Sequence, residues 1–272
     1  MTETPHPVAE SSTPIGAAIA PAAGPAWSQG DLANPHLVAD KAARVNRMFT
    51  AIAGSYDLNN HLHSLWIDQH WRKVAVRLAG VKPTDIVADI ACGTGDLSLA
   101  FERAGPRNIL GIDFCHAMLQ GAVKKAAARG LETDRMKFFE GDALRLPLQN
   151  QSVDVVSIAF GIRNVADWGA AVDEFYRVLR PGGRLIILEF SLPSNPVLRG
   201  LYNFYFRRVL PRTATFISGD KSGAYHYLPE SVNTFISCDQ MTGRMRAAGL
   251  TDVQAHGLTM GVCYCYRGVR HA

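Results

Sequence analysis

Between residues 85 and 190 the chain alternates short apolar runs with helix-patterned ones: DIVADIA then GDLSLAFERA, RNILGID then HAMLQGAVKKAAARG, RMKFFEGDA, SVDVVSIAFG then DWGAAVDEFYRVLRPGG, and RLIILEF. Strands that are apolar along their whole length are buried on both faces, and the interposed helices supply the two covers. The pattern therefore predicts an α/β chain, Rossmann-like, around a mostly parallel sheet. Asp167 is placed to cap one helix, and Pro181-Gly182-Gly183 to stop it before the next strand. TDVQAHGLT and GVCYCYRGV, joined tightly around Met260-Gly261, predict an antiparallel hairpin that closes a seven-stranded sheet.

Upstream of this rhythm, Val45, Met48, Phe49 and Ile52 are spaced for one helix face, GSYDLNN interrupts, and HSLWIDQHWRKVAVRLAG reads as a second helix. Residues 37–84 are thus expected to form an N-terminal helical cap on a domain spanning 37–272. Residues 1–36 are rich in Pro, Ala, Ser and Gly, with almost no large apolar side chain before Trp27, and read as a disordered tail that folding does not need. They lack a secretory core and the arginines of a mitochondrial presequence, and no apolar run reaches the roughly 18–20 residues of a spanning helix, so a cytoplasmic location is expected. A net charge of +4 is too small to argue for nucleic acid. The five cysteines include no CxxC pair, so neither a zinc site nor a disulfide framework is signalled.

The stretch VADIACGTGDLSLAF, residues 87–101, sets Gly93-Thr94-Gly95 in a strand-to-helix turn, where dinucleotides often place a pyrophosphate. Asp96 follows directly; a carboxylate there is read as the helix N-cap and repels a phosphate at the same spot. S-adenosylmethionine, with a sulfonium, an ammonium and one carboxylate, suits this loop better. Eighteen positions beyond Gly95, RNILGID ends at Asp113, where a carboxylate can accept both ribose hydroxyls; the next strand ends in Gly141-Asp142-Ala143, where an acid can accept the adenine amine.

The combination of YDLNN at 56–60, DIACGTGD at 89–96, FGIRNVAD at 160–167, YRVLRPGGRLIILEFS at 176–191, VLPR at 209–212 and YHYLPESV at 225–232 resembles the class I S-adenosylmethionine-dependent methyltransferases. Within them it is similar to the C-methyltransferases of ubiquinone and menaquinone biosynthesis, over about residues 41–270. The resemblance implies methylation of a prenylated quinol ring carbon, on a 2-polyprenyl-6-methoxy-1,4-benzoquinol, a demethylmenaquinol, or both. It also implies that Thr94, Asp113 and the Asp142-Ala143 pair contact the cofactor and that Arg163 and Asn164 act at the reacting ring. Asp89, Gly93, Gly95 and Ala159 are expected to complete the cofactor site, and Tyr56 to lie in a lid over it, where Tyr56, water or a nearby His or Asp can relay the proton. The chain departs from the family at Asn59, often Met, and at Ala159, often Ser.

Ring methylation needs electron density on the carbon, which rises when the neighbouring hydroxyl ionises. Arg163 follows SVDVVSIAFG and is expected to emerge over the sheet's C-terminal edge beside the sulfonium; it keeps its proton, so its role is to stabilise a phenolate rather than to act as a base. The plainer reading is a surface charge paired with Asp167. His61, His63 and His70 have no acid or cysteine at a metal-ligand spacing and read as ordinary histidines, so no metal is expected. Cys263 and Cys265 share a strand face and read as packing residues. RGLYNFYFRRVLPR, 199–212, fits either a helix packed on the sheet or one facing the inner membrane, where a polyprenyl substrate resides, with a quinone-synthesis complex as the other source of substrate. No heptad pattern fixes an oligomeric state, and a homodimer stays open. The competing readings are a nicotinamide-dependent oxidoreductase and a non-catalytic scaffold.

Overall fold

The computed structural model describes residues 26–28, 30–131, 135–219 and 222–271. Its centre is a seven-stranded sheet in the order β3-β2-β1-β4-β5-β7-β6, built from β1 (Ile86–Ile90), β2 (Asn108–Asp113), β3 (Met136–Glu140), β4 (Val153–Ala159), β5 (Leu179–Phe190), β6 (Leu250–Leu258) and β7 (Cys263–Arg270). The β3-β2-β1-β4-β5 pairs are parallel, and β7 runs antiparallel to both β5 and β6. The α/β class, the parallel core and the closing hairpin are as the sequence predicts.

Side-chain alternation along each strand feeds two cores. Ala88, Ile90, Leu185 and Ile187 face α6 (Trp168–Val178) and α10 (Cys238–Ala247), while Val87, Ile186, Leu188, Cys263 and Cys265 face α3 (Ile67–Ala79) and α4 (Asp96–Glu102). Cys263 and Cys265 are fully buried packing residues. Asp167 caps α6 by accepting the Ala170 N–H at 2.9 Å. Pro181-Gly182-Gly183 does not stop α6, which ends at Val178: β5 begins at Leu179 and passes through the segment, with a register shift against β4 and Gly182 at φ +75°.

The cap consists of α1 (Lys41–Ile52), α2 (Tyr56–His63) and α3. It extends further upstream than the composition suggests. Trp27 is 3% exposed and stacks on Tyr227 with ring centroids 4.4 Å apart, the Ala26 N–H donates to the Ser222 carbonyl at 2.9 Å, and Arg44 holds the Ala26 carbonyl and Asp31. Residues 26–28 and 30–36 thus pack on the domain instead of belonging to the expected tail, because one buried indole anchors a stretch whose average composition is that of a loop; residues 1–25 lie outside the described part. Between β5 and α10 the chain forms α7 (Pro196–Phe204), a π-helical turn Tyr205–Val209, α8 (Leu210–Ser218) and α9 (Ala224–Asn233), and α5 (His116–Ala127) lies between β2 and β3 in sequence.

Candidate functional site

The strand order reverses between β1 and β4, and in an open parallel sheet the crevice beyond the strand ends at that point is where a ligand fits. A pocket lies there. Gly93 follows β1, Asp113 ends β2, Asp142 and Ala143 follow β3, Ala159 and Asn164 come from the end of β4, and Phe49 of α1 with Tyr56 of α2 close the top. Gly93 takes φ +57°, in the left-handed region that a side chain disfavours, and its N–H points to the Asp113 carboxylate at 2.7 Å. The other Asp113 oxygen accepts the Cys115 N–H at 2.7 Å. Burial raises this carboxyl to about 6, against the lowering effect of these backbone donors. Asp142 accepts the Leu144 N–H at 2.9 Å, and burial leaves the half-buried Tyr56 phenol raised.

Four expected site residues are not in this wall. Asp89 is 1% exposed and accepts the Ser98 hydroxyl at 2.6 Å and the Ser157 hydroxyl at 2.9 Å, tying β1 to α4 and β4 beneath the loop; burial raises it to about 6. Thr94 turns its hydroxyl away from the pocket to Asp57, at 2.5 Å. Gly95, at φ +83°, is the helix N-cap, and the Cβ of any other residue there would lie 3.2 Å from Ala122 Cβ. Asp96 is therefore not the cap: it is the first residue of α4, and its carboxylate accepts from Lys125 at 2.6 Å and Gln69 at 3.1 Å. A pyrophosphate is disfavoured instead by the pocket wall, which carries two carboxylates, Asp113 and Asp142, and no lysine or arginine.

The fourth is Arg163, in the turn Ile162–Asn164. It does not emerge over the sheet edge, and Asp167, occupied as a cap, is not its partner. Its side chain is folded inward at 5% exposure and donates to Glu189 at 2.5 Å and to the Phe160 carbonyl at 2.8 Å, with the guanidinium 5.3 Å over the Phe190 ring. Asn164 stands between this ion pair and the pocket, accepting the Tyr227 hydroxyl at 2.8 Å. Asn59 is the buried residue of α2, donating to the Ser55 carbonyl.

The histidine reading also needs correction. Helix packing brings Asp68 to 3.1 Å and Asp96 to 3.4 Å from His61, acids that sequence spacing around the histidines does not reveal. Asp57, His61 and Asp96 each offer an oxygen or nitrogen within 4.8 Å of the others. Lys125, 2.6 Å from both Asp57 and Asp96, already neutralises this cluster, with Arg72 beside it, and we assign it no ion.

Sequence reasoning passed over three residues that organise the site. Glu189 is the lone acid in the buried run RLIILEF, a signal available without coordinates. Tyr227 and Lys41 carry no such mark. Lys41 is 3% exposed and donates to the carbonyls of Arg163 at 2.8 Å and Val165 at 2.7 Å, on either side of Asn164, and burial lowers its amine to about 8. Lys41→Met should leave two carbonyls without donors and lower stability by about 1–3 kcal/mol, read as a fall in denaturation midpoint; an unchanged midpoint means that water replaces the ammonium.

Comparisons with known proteins agree with this architecture. A family model described as the ubiE/COQ5 methyltransferase family matches residues 37–270. A demethylmenaquinone methyltransferase of Thermus thermophilus is 47% identical over 224 residues, 82% of this chain and 100% of that one. A ubiquinone/menaquinone biosynthesis C-methyltransferase of Syntrophotalea carbinolica is 43% identical over 82% of this chain and 92% of its own length. Among solved structures, a methyltransferase of Thermotoga maritima that depends on S-adenosylmethionine superimposes with a TM-score of 0.57 at 20% identity, covering 83% of this chain and 99% of that one. The alternating sheet, the switch-point pocket and these matches lead to one conclusion: the chain belongs to the ubiE/COQ5 methyltransferase family, and is a methyltransferase with S-adenosylmethionine as its cofactor.

Proposed function

We propose that the protein methylates a ring carbon of a prenylated quinol, either demethylmenaquinol or a 2-polyprenyl-6-methoxy-1,4-benzoquinol. The observation that carries the reading is a cation-free pocket with two carboxylates, bordered by Asn164 and backed by the buried Arg163–Glu189 pair. When bound, S-adenosylmethionine supplies an electrophilic methyl group. Asp113 accepts the ribose hydroxyls, Asp142 and Ala143 receive the adenine edge, and the Gly93 turn with Ala159 leaves room for the remainder. Tyr56 would relay the quinol hydroxyl proton to solvent, and Arg163, kept protonated beside Glu189, would favour the resulting phenolate from behind Asn164. The ring proton that the methyl displaces would leave to solvent as the ring regains aromaticity. The apolar wall excludes water and aligns the carbon with the methyl. The names of the relatives support the substrate class. No helix of the described residues is long and apolar enough to cross a membrane, and we place the enzyme in the cytoplasm, taking its water-insoluble substrate from the inner membrane or from a quinone-synthesis complex.

The direct test is incubation of the purified protein with methyl-labelled cofactor and each quinol. Label should appear in the reduced substrate and not in the oxidised quinone, which has no hydroxyl to ionise. Cofactor binding without transfer to either quinol rejects the substrate, and binding of NAD in place of S-adenosylmethionine would return the oxidoreductase reading.

Asp113 offers a second check. Asp113→Ala should weaken cofactor binding by about 2–4 kcal/mol, since two hydrogen bonds to a charged acceptor are lost. The carboxylate is the accepting form, and the group titrates near 6 in the free protein, so acidification should weaken binding progressively below that value, by about tenfold at pH 5. Calorimetry showing a flat profile from pH 7 to 5 removes Asp113 from the ribose contact.

A further inference from the structure

Several large apolar side chains left in water gather on two neighbouring segments, α7–α8 and α2 with the turn after it, while Leu37 and Met260 are exposed elsewhere. On α7, Val197, Leu201 and Phe204 are 70%, 63% and 63% exposed and recur at i, i+4 and i+7, forming one stripe; Tyr202 alone of that helix is buried. Phe216 on α8 is 90% exposed. The second element is the end of α2 and the turn after it, with Leu58 at 57%, Leu65 at 75% and Trp66 at 57%. Leu65 and Trp66 are consecutive non-glycine residues at φ +50° and +60°, a left-handed pair that the chain holds with both apolar side chains turned to solvent.

The two elements form one face. His63, in α2, is hydrogen-bonded to the Thr213 hydroxyl at 2.8 Å, and the Tyr205 hydroxyl donates to the His63 carbonyl at 3.1 Å. Phe216 lies one helical turn beyond Thr213. The charge on this face is predominantly positive, the acid beside it being Glu230 of α9, which pairs with Arg207 at 3.0 Å. From Ser191 to Gly219 the sequence has no Asp or Glu and four arginines, Arg199, Arg207, Arg208 and Arg212, all exposed, and Leu58–Ile67 has no Asp, Glu, Lys or Arg.

We propose that this face docks on an anionic bilayer, with Leu65, Trp66, Phe204 and Phe216 among the acyl chains and the arginines at the lipid phosphates. Apolar side chains flanked by arginines that outnumber the acids match a surface of negative headgroups over hydrocarbon. A second copy is the poorer occupant, because a two-fold contact sets Arg199, Arg208 and Arg212 against their own copies, with Glu230 already taken by Arg207. The face also backs onto the ring site: Tyr202 stacks on Phe206 at 4.1 Å, Phe206 meets Phe190 edge-on at 6.4 Å, and Phe190 lies under the Arg163 guanidinium. The location thus gives a prenyl tail a short apolar route from the lipid to the ring, and the assignment of that route rests on the quinol reading.

Trp66 provides the probe, since Trp27 and Trp71 are buried and Trp168 is partly so. Titration of the full chain with phosphatidylglycerol-rich vesicles containing bromine-labelled acyl chains should quench and blue-shift its emission at low salt, and Trp66→Phe should abolish that response. Leu65→Ser with Phe216→Ser, and separately Arg207→Glu with Arg208→Glu, should each weaken vesicle partitioning by about tenfold or more, with turnover of a short-tailed, water-soluble quinol retained. Absence of quenching and of vesicle flotation at low salt overturns the proposal, as does loss of self-association without any vesicle binding in the Leu65→Ser, Phe216→Ser protein. Vesicle binding by a protein that fails to methylate the soluble quinol upholds the docking face and rejects the quinol reading alone.

Discussion

Arg163→Ala is expected to lower turnover by roughly 10²–10³, about 3–4 kcal/mol of transition-state stabilisation, with cofactor affinity nearly unchanged. The guanidinium serves an anion that forms during reaction, and it lies outside the pocket wall. Burial complicates the experiment. Removing Arg163 leaves the Glu189 carboxylate, 2% exposed, without its cation, and breaking such a pair costs about 3–5 kcal/mol of stability. Arg163→Leu with Glu189→Leu removes both charges and should recover much of the thermal stability while turnover stays low. If turnover returns together with the fold, Arg163 is a strut and the phenolate role is lost. Arg163→Lys keeps the charge but not the planar fork that reaches Glu189, the Phe160 carbonyl and Ser231 together, so it should rescue turnover only in part.

Trp27→Ala should cost about 3–5 kcal/mol, the range for truncating a buried aromatic side chain. In a domain of this size that corresponds to a fall of roughly 6–15 °C in melting temperature. The indole makes no hydrogen bond, so the loss is one of packing: the stack on Tyr227 and the contacts with Val45, Met48 and Ile52 of α1. Tyr227 in turn donates to Asn164, so turnover should also fall below the melting transition. Proteins beginning at Ala26 and at Leu37 should differ by at least the single-residue effect; equal melting temperatures show that the N-terminal segment is not part of the core.

Asp142, Ala143, Asp113 and Gly93 reach the pocket because each ends a strand or follows one, and strand ends are legible wherever a parallel sheet imposes continuous apolar runs. Period and punctuation also mark the helices around them and the final hairpin, since these depend on neighbours within a few residues. The positions that sequence placed wrongly depend on distant partners. Whether Arg163 faces solvent or the interior is decided by Glu189, 26 residues on, and by Ser231, 68 residues on. His61 gains Asp96 only when the end of α2 meets the start of α4, and Thr94 is claimed by Asp57 of the cap. Trp27 becomes core through a tyrosine 200 positions away. Sequence alone determined the α/β sheet, its order of elements and the strand ends that can hold a cofactor, because those follow from local periodicity. Tertiary structure decided which charges are buried in pairs, where the cap begins and which apolar face is left to solvent, because burial and pairing are set by contacts between segments that no local pattern encodes.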